Sequence, residues 1–131
     1  MTRFLLSLIL LATSSFSSSA QAEAETEIRW LIQAVRDSHC QFDRNGTLHS
    51  AESAANHLEL KYSRGKRYAD SAEAFIEHLA SRSSWTGEPY RMICEGSAMP
   101  AANWLTKKLD EMQTGLWQPE HNAPGDLSLP Q

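Results

Sequence analysis

Apolar residues recur at helical spacing in four separate stretches of this chain. Ile28, Leu31, Ile32 and Val35 form the first stripe, widened by Trp30 and Ala34, and predict a helix over 25–38. The acidic run Glu23–Glu27 suits its start, where carboxylates meet the positive end of the helix dipole. The second stripe is Ala51, Ala54, Ala55, Leu58 and Tyr62, with Ser50 as N-cap, Glu52 in the first turn and an end near Ser63. Its alanines permit close approach of a neighbouring element. The third helix starts at Asp70 or Ser71 and presents Ala72, Phe75, Ile76, Leu79 and Ala80. Asp70 and Glu73 have the spacing of a capping box. The fourth has Pro100 at its first position, an inner row of Ala101, Leu105, Leu109 and Met112 with Trp104 beside it, and Gly115 as its stop.

Between the stripes the helical period lapses. His39 to Phe42 reads as extended and runs into the turn Asp43-Arg44-Asn45-Gly46. Ser81–Pro89 is a polar loop, and Tyr90–Cys94 reads as a short strand with imperfect alternation. Each extended piece carries one cysteine. Parsimony pairs them as a two-stranded antiparallel ribbon, although parallel pairing would also satisfy a bridge. The expected fold is mainly helical α+β, about four helices with a small two-stranded ribbon and one disulfide. No internal repeat is visible.

The N-terminus changes the picture by giving an address. Arg3 precedes the apolar run Phe4–Ala12, and a Ser-rich stretch leads to Ala20-Gln21-Ala22, the small-x-small pattern of a signal-peptidase site. The run is about half the length needed to span a bilayer. Residues 1–22 are therefore expected to be a cleaved secretory signal, 23–117 a single globular domain, and 118–131, with three prolines and few apolar groups, a disordered tail. The mature chain is expected to be periplasmic, with no transmembrane segment. Cys40 and Cys94 both lie behind the cut and would meet an oxidising compartment, so one disulfide is expected and no free thiol.

Charge narrows the partners. The whole chain carries 12 basic and 16 acidic residues, a formal net charge of −4, and loss of Arg3 with the signal makes it one unit more negative. That balance argues against nucleic acid, which selects a strong basic excess.

The order and spacing of several short motifs extend this reading. Phe42-x-Arg44-Asn45-Gly46 is followed by Ala54-Ala55-x-His57-Leu58-x-x-Lys61 and by Ala72-Glu73-x-Phe75-Ile76. Ser81-x-Ser83-Ser84-x-x-Gly87-x-Pro89-Tyr90 and Trp104-Leu105 come next. Together, over roughly residues 28–110, they resemble a family of short secreted, mostly periplasmic bacterial proteins, the YfeK-like proteins (domain of unknown function 5329). Asp43 departs from that pattern, in which the position is usually apolar. The resemblance implies a periplasmic home and carries over no activity.

The candidate chemistry is sparse. His39, Cys40, His49 and His57 match no standard zinc spacing, and Cys40 is better used in a disulfide; no metal or cofactor is expected. His57 with Ser83 or Ser84 lacks any nucleophile-elbow sequence, and the serines read as backbone-bonding loop residues. No catalytic residue is assigned. Lys61, Arg64, Lys66 and Arg67 form a basic cluster that suits either a solvated helix end or an anion. Arg44 has no role in making the Asn-Gly turn; it is expected to pair with an internal carboxylate, Glu73 being the first choice, or else to face a ligand. His57 beside Ala54 and Leu58 reads as a packing histidine. Arg44, Asn45, His57, Lys61 and Tyr90 are thus the polar cluster to watch, whether structural or binding.

The expected function is a binding or interaction module of the cell envelope, its partner another envelope protein or an anionic envelope component. An envelope enzyme of unrecognised type and an inhibitor or immunity-like protein are the alternatives.

Overall fold

The computed structural model describes residues 17–115, with side chains from residue 19 onward. The expected tail 118–131 and most of the expected signal lie outside the described residues. Residues 17–22 of that signal form the start of the first helix, α1 (Ser17–Asp37). The helix begins well before residue 25 because Ser17–Glu25 contains no Gly or Pro to stop it.

After α1 come β1 (Gln41–Arg44), β2 (Thr47–His49), α2 (Ala51–Gly65) and a 3-10 turn at Lys66–Tyr68. Then come α3 (Ala72–Phe75), continued as a π-helical turn over Ile76–Ala80, β3 (Arg91–Cys94), β4 (Ser97–Pro100) and α4 (Ala101–Gln113). Ser50 caps α2, its hydroxyl accepting from the Ser53 amide at 3.1 Å. Ser71 rather than Asp70 caps α3, accepting from the Ala74 amide at 3.0 Å. All five apolar positions expected of the third stripe are buried.

The expected two-stranded ribbon is a four-stranded antiparallel sheet in the order β2-β1-β3-β4. The cysteine-bearing pieces are its central pair, antiparallel, with Phe42 opposite Met92. Each is extended into a hairpin by a short edge strand that sequence periodicity cannot register. Both hairpins turn on two residues with positive φ: Asn45 at 54° and Gly46 at 81°, Glu95 at 52° and Gly96 at 78°. Such left-handed pairs match the right-handed twist of flanking strands.

The two hairpins are copies of one plan. Residues correspond at a constant offset: Phe42 to Met92, Gly46 to Gly96, Ala51 to Ala101. In β1–β2 Phe42 pairs with His49, Asp43 with Leu48 and Arg44 with Thr47; in β3–β4 Met92 pairs with Met99, Ile93 with Ala98 and Cys94 with Ser97. Burial follows the same pattern along both, and each hairpin leads directly into a helix. Because the two pair antiparallel through Phe42 and Met92, a local two-fold axis passes through that pair. The repeat that the sequence conceals is therefore a repeat of backbone plan, with Gly46/Gly96 and Ala51/Ala101 its identities over β1 to the start of α2.

The inner face of the sheet carries Phe42 and Met92, both buried, and α2 and α4 pack on the strands. Helix α1 packs on α2, α3 and α4, with Ile28, Leu31 and Val35 wholly inaccessible. The outer face is open: Leu48 on β2 is half exposed. Asp43 belongs to this outer face, since successive strand residues alternate. Its carboxylate accepts from the Gly46 amide at 2.9 Å, so it braces the turn where an apolar residue would add nothing to the core.

Cys40 and Cys94 form the disulfide, with their Cα atoms 4.5 Å apart. It lies one residue past the Gln41–Ile93 pair at the end of the central ladder. Among the described residues no helix is long and apolar enough to cross a membrane.

Candidate functional site

The local two-fold axis makes the opposite end of the central ladder informative. Under the constant offset, Tyr90 is the counterpart of Cys40 and Arg44 the counterpart of Cys94. Where one end of the β1–β3 pair is stapled shut, the other carries an arginine and a tyrosine. Beside that open end lies a cleft of about 560 Å³ between the sheet, α2 and the loop 81–89.

Helix α2 supplies one wall. Its buried face is Ala54, Ala55, Leu58 and Tyr62. His57, Lys61 and Arg64 follow at i, i+4 and i+7, so they stack as a polar stripe along the edge of that face and point into the cleft. Gly65 ends the helix where a Cβ would stand 2.8 Å from a Leu79 methyl, which lets the last turn close onto the π-helical turn.

Strand β1 and its turn supply the floor. Arg44 shares the inner face with Phe42 because they are two residues apart. Among the described residues no carboxylate lies within ion-pair distance of Arg44. The expected partner, Glu73, is exposed on α3 and borders a different depression, with Ile76 and Glu77. The separation follows from topology: β1 is covered by α2, and α3 packs against α1.

Tyr90 is buried at the bottom, packed on Phe42 with ring centroids 5.1 Å apart. Its hydroxyl lies 3.4 Å from His57 Nε2 and receives Lys61 Nζ at 3.3 Å. Lys61 also donates to the Arg82 carbonyl at 2.9 Å and lies 5.0 Å from the Tyr90 ring centre. With Lys61 donating to the phenol, the phenolic proton can go to a neutral His57. Burial, then the nearby charges of Arg44, Lys61 and His49, hold His57 down at about 4, so at neutral pH it is uncharged. Burial, then Arg44, lowers Lys61 as well. Burial raises the Tyr90 phenol, with Arg44 opposing.

The loop 81–89 is a tied structure. Tyr90 N donates to Ser81 O, Ser83 N to Glu88 O and Gly87 N to Ser83 O, at 2.9, 2.9 and 3.0 Å. The buried Ser83 hydroxyl accepts from the Trp85 and Thr86 amides at 3.3 Å and from Asn45 Nδ2 at 3.4 Å. Thr86 returns a hydrogen bond to Asn45 Oδ1 at 2.7 Å. Asn45 thereby locks the first hairpin to the loop. On this framework Trp85 is 98% exposed, at the rim of the cleft.

All five members of the expected polar cluster, Arg44, Asn45, His57, Lys61 and Tyr90, line this one cleft. The basic run divides. Lys61 and Arg64 face the cleft, whereas Lys66 lies 3.9 Å from Glu25 and 5.2 Å from the Tyr62 ring centre, and Arg67 stacks on Tyr68 at 4.7 Å. Cys40 is committed to the disulfide and so leaves the sequence cluster of His39, His49 and His57. Sequence reasoning missed Leu60, Tyr68 and Trp85 at the rim. The available signal was Trp85 itself, a large ring in a Ser-Thr-Gly loop with no apolar partner at strand or helix spacing.

Among the described residues that line the cleft there is no Asp or Glu. Three cations thus converge without an internal counter-ion, in a protein whose net charge is negative. Such a site repels its own cations until an anion arrives, and low-dielectric walls strengthen that attraction.

These features define a class: a small, disulfide-stapled α+β domain built from two hairpin–helix units, with a cationic cleft at its unstapled end. The chain belongs to the family of unknown function DUF5329, whose sequence pattern matches residues 22–113. It is similar to the uncharacterized protein YfeK of Salmonella typhimurium, 38% identical over 82 residues, which cover 62% of this chain and 68% of the relative. No solved structure matches the chain.

Proposed function

We propose that this protein is an exported binding module of the bacterial cell envelope, and that the cleft between α2, β1 and loop 81–89 takes an anionic ligand. The observation that carries the reading is the convergence of Arg44, Lys61 and Arg64 with no carboxylate among the residues lining the cleft. Arg44 has the geometry to engage a carboxylate or phosphate through two parallel N–H groups. The address is supported by the n-region, apolar run and Ala20-Gln21-Ala22 pattern, by a family match that begins at residue 22, and by the disulfide.

Binding is favoured over catalysis by the state of the polar groups. Burial disfavours ionisation of the Tyr90 phenol, and His57 has no carboxylate among its contacts to orient it as a general base. Ser83 is the buried hydroxyl of the site, and its oxygen is occupied by loop donors.

Titration of the mature, oxidised protein with inorganic phosphate, followed by amide and side-chain NMR shifts, tests the reading. Perturbations should concentrate at Arg44, His57, Lys61 and Tyr90 and weaken with added sodium chloride. Shifts spread over Lys66, Arg67 and Lys107, with none in the cleft, would overturn it.

A further inference from the structure

We infer that the anion is the acid group of a saccharide, held between Arg44, Lys61 and Arg64 while a sugar ring lies on the indole of Trp85. This rests on the anion-binding reading above and adds what carries the charge. Three observations lead to it.

The first is that Trp85 is almost completely exposed while the backbone that carries it is tied down. An indole offers a large apolar face that ordinarily seeks burial. Here the backbone on either side of the ring is pinned: the Trp85 and Thr86 amides donate to Ser83, and Ser83 bonds back across the loop to Glu88 and Gly87. Asn45 ties the same loop to the β1–β2 turn. Without that framework the indole would sample many positions. With it, the backbone that carries the stacking surface is ordered before any ligand arrives, and the ring's own rotamer is what remains to be fixed on binding.

The second is the arrangement of chemistries. Arg44 and Lys61 are half-buried in the interior, whereas Arg64 is exposed and shares the rim with Trp85 and the half-exposed Leu60 and Tyr68. An inorganic anion would use only the interior. A ligand spanning both zones has a compact negative group at one end and a flat face of C–H bonds at the other. Exposed Ser84, next to Trp85 in the chain, also lines the cleft and supplies a hydroxyl where those of such a ring would need partners.

The third is size. A cleft of about 560 Å³ falls within the range of small-molecule sites and leaves space beyond a single phosphate.

The test uses the mature, disulfide-bonded protein and calorimetric titration with five probes: trigalacturonic acid, a galactose trisaccharide without acid groups, glucose 6-phosphate, inorganic phosphate and AMP. At least one acidic sugar should bind tenfold or more tighter than inorganic phosphate, and the neutral trisaccharide should bind far more weakly. Whether trigalacturonate or glucose 6-phosphate leads separates a carboxylate from a phosphate as the acid group. Trp85→Ala should remove the tenfold advantage while phosphate affinity and melting temperature stay at wild-type values. Trp85→Phe should recover part of the advantage. Equal affinity of phosphate and both acidic sugars, or a Trp85→Ala protein that binds the best sugar as wild type does, overturns the saccharide and leaves the anion site standing. AMP binding tighter than either sugar also overturns it. If inorganic phosphate fails to bind along with the rest, the anion reading itself falls.

Discussion

Arg44 and Tyr90 stand at one end of the β1–β3 pair where, under the local two-fold axis, Cys94 and Cys40 stand at the other. One end of the ladder is closed by a covalent bond, and the other carries a cation and a phenol. Burial first, and then the positive charge gathered there, lowers His57 and Lys61, a cost with no carboxylate among the described residues lining the cleft to offset it. Uncompensated strain or repulsion of this kind gathers at functional sites, where stability is exchanged for binding.

That relationship predicts the stability of Arg44→Ala. A buried Arg44–Glu73 pair would make the substitution costly by about 3–5 kcal/mol. With no carboxylate partner among the described residues, and with two neighbours relieved of a like charge, the expected change is within about 0.5 kcal/mol, neutral or stabilising. Thermal melts of mature wild-type and variant protein check it. A melting temperature lowered by many degrees would restore a structural role for Arg44.

The disulfide predicts the opposite response. Its loop, with a sequence separation of 54, restricts the unfolded chain by about 4 kcal/mol on the chain-entropy account. Cys40→Ala/Cys94→Ala should therefore lower stability by about 2–4 kcal/mol in denaturant titrations. Reduction of the wild type should give a similar loss, and a midpoint unchanged by either treatment would contradict the staple's role.

His57 makes both stability and ligand affinity depend on pH, with opposite signs. Its folded value of about 4 lies below the ordinary 6.5. The unfolded chain thus takes up the proton first, and stability contributed by neutral His57 is complete above about 6.5 and declines as pH falls toward 4. Since the ring is only partly buried, the loss should be about 1–2 kcal/mol after solvent screening. The groups facing it are Arg44 on β1, His49 on β2, Lys61 on α2 and Tyr90 before β3. A bound anion offsets the cations among these and raises His57, so binding takes up a proton. Phosphate affinity should rise as pH drops from about 6.5 toward 4, after allowance for phosphate's own ionisation. His57→Asn should flatten both profiles. Calorimetry in buffers of different ionisation enthalpy measures the proton uptake directly, and its absence would sever His57 from the site.

The sequence made the helices legible because each buries a stripe with a 3.6-residue period. Ser50 and Ser71 announced two starts through their capping chemistry. Strands β2 and β4 were illegible because three- and four-residue edge strands present one or two inward side chains, too few for alternation to show. The Glu95-Gly96 turn was hidden by a residue that seldom takes positive φ, whereas Asn45-Gly46 was plain. The duplication stayed invisible because burial, and not residue identity, is what the two halves share. For the site, Arg44 stood out since its turn did not need it, and His57 and Lys61 shared a helix face. Trp85 escaped because a loop gives a side chain no period from which its direction can be read.

The two-fold axis itself yields the most demanding prediction. If the offset that maps Cys40 to Tyr90 and Cys94 to Arg44 describes the backbone, those two positions also meet disulfide geometry. Arg44→Cys/Tyr90→Cys, made in the background Cys40→Ala/Cys94→Ala to prevent mispairing, should form a bond at the opposite end of the ladder. Oxidised protein should weigh two hydrogens less than reduced protein. Loss of the buried Tyr90 ring costs about 3–5 kcal/mol, comparable to the gain from closing a loop of similar length, so the variant should be the less stable of the two stapled forms. It should also lose phosphate binding, because the floor of the cleft is gone. Two free thiols in folded, oxidised protein would show that β1 and β3 diverge past Asp43 and Arg91, and that the two halves are alike in register but not in the end they leave open.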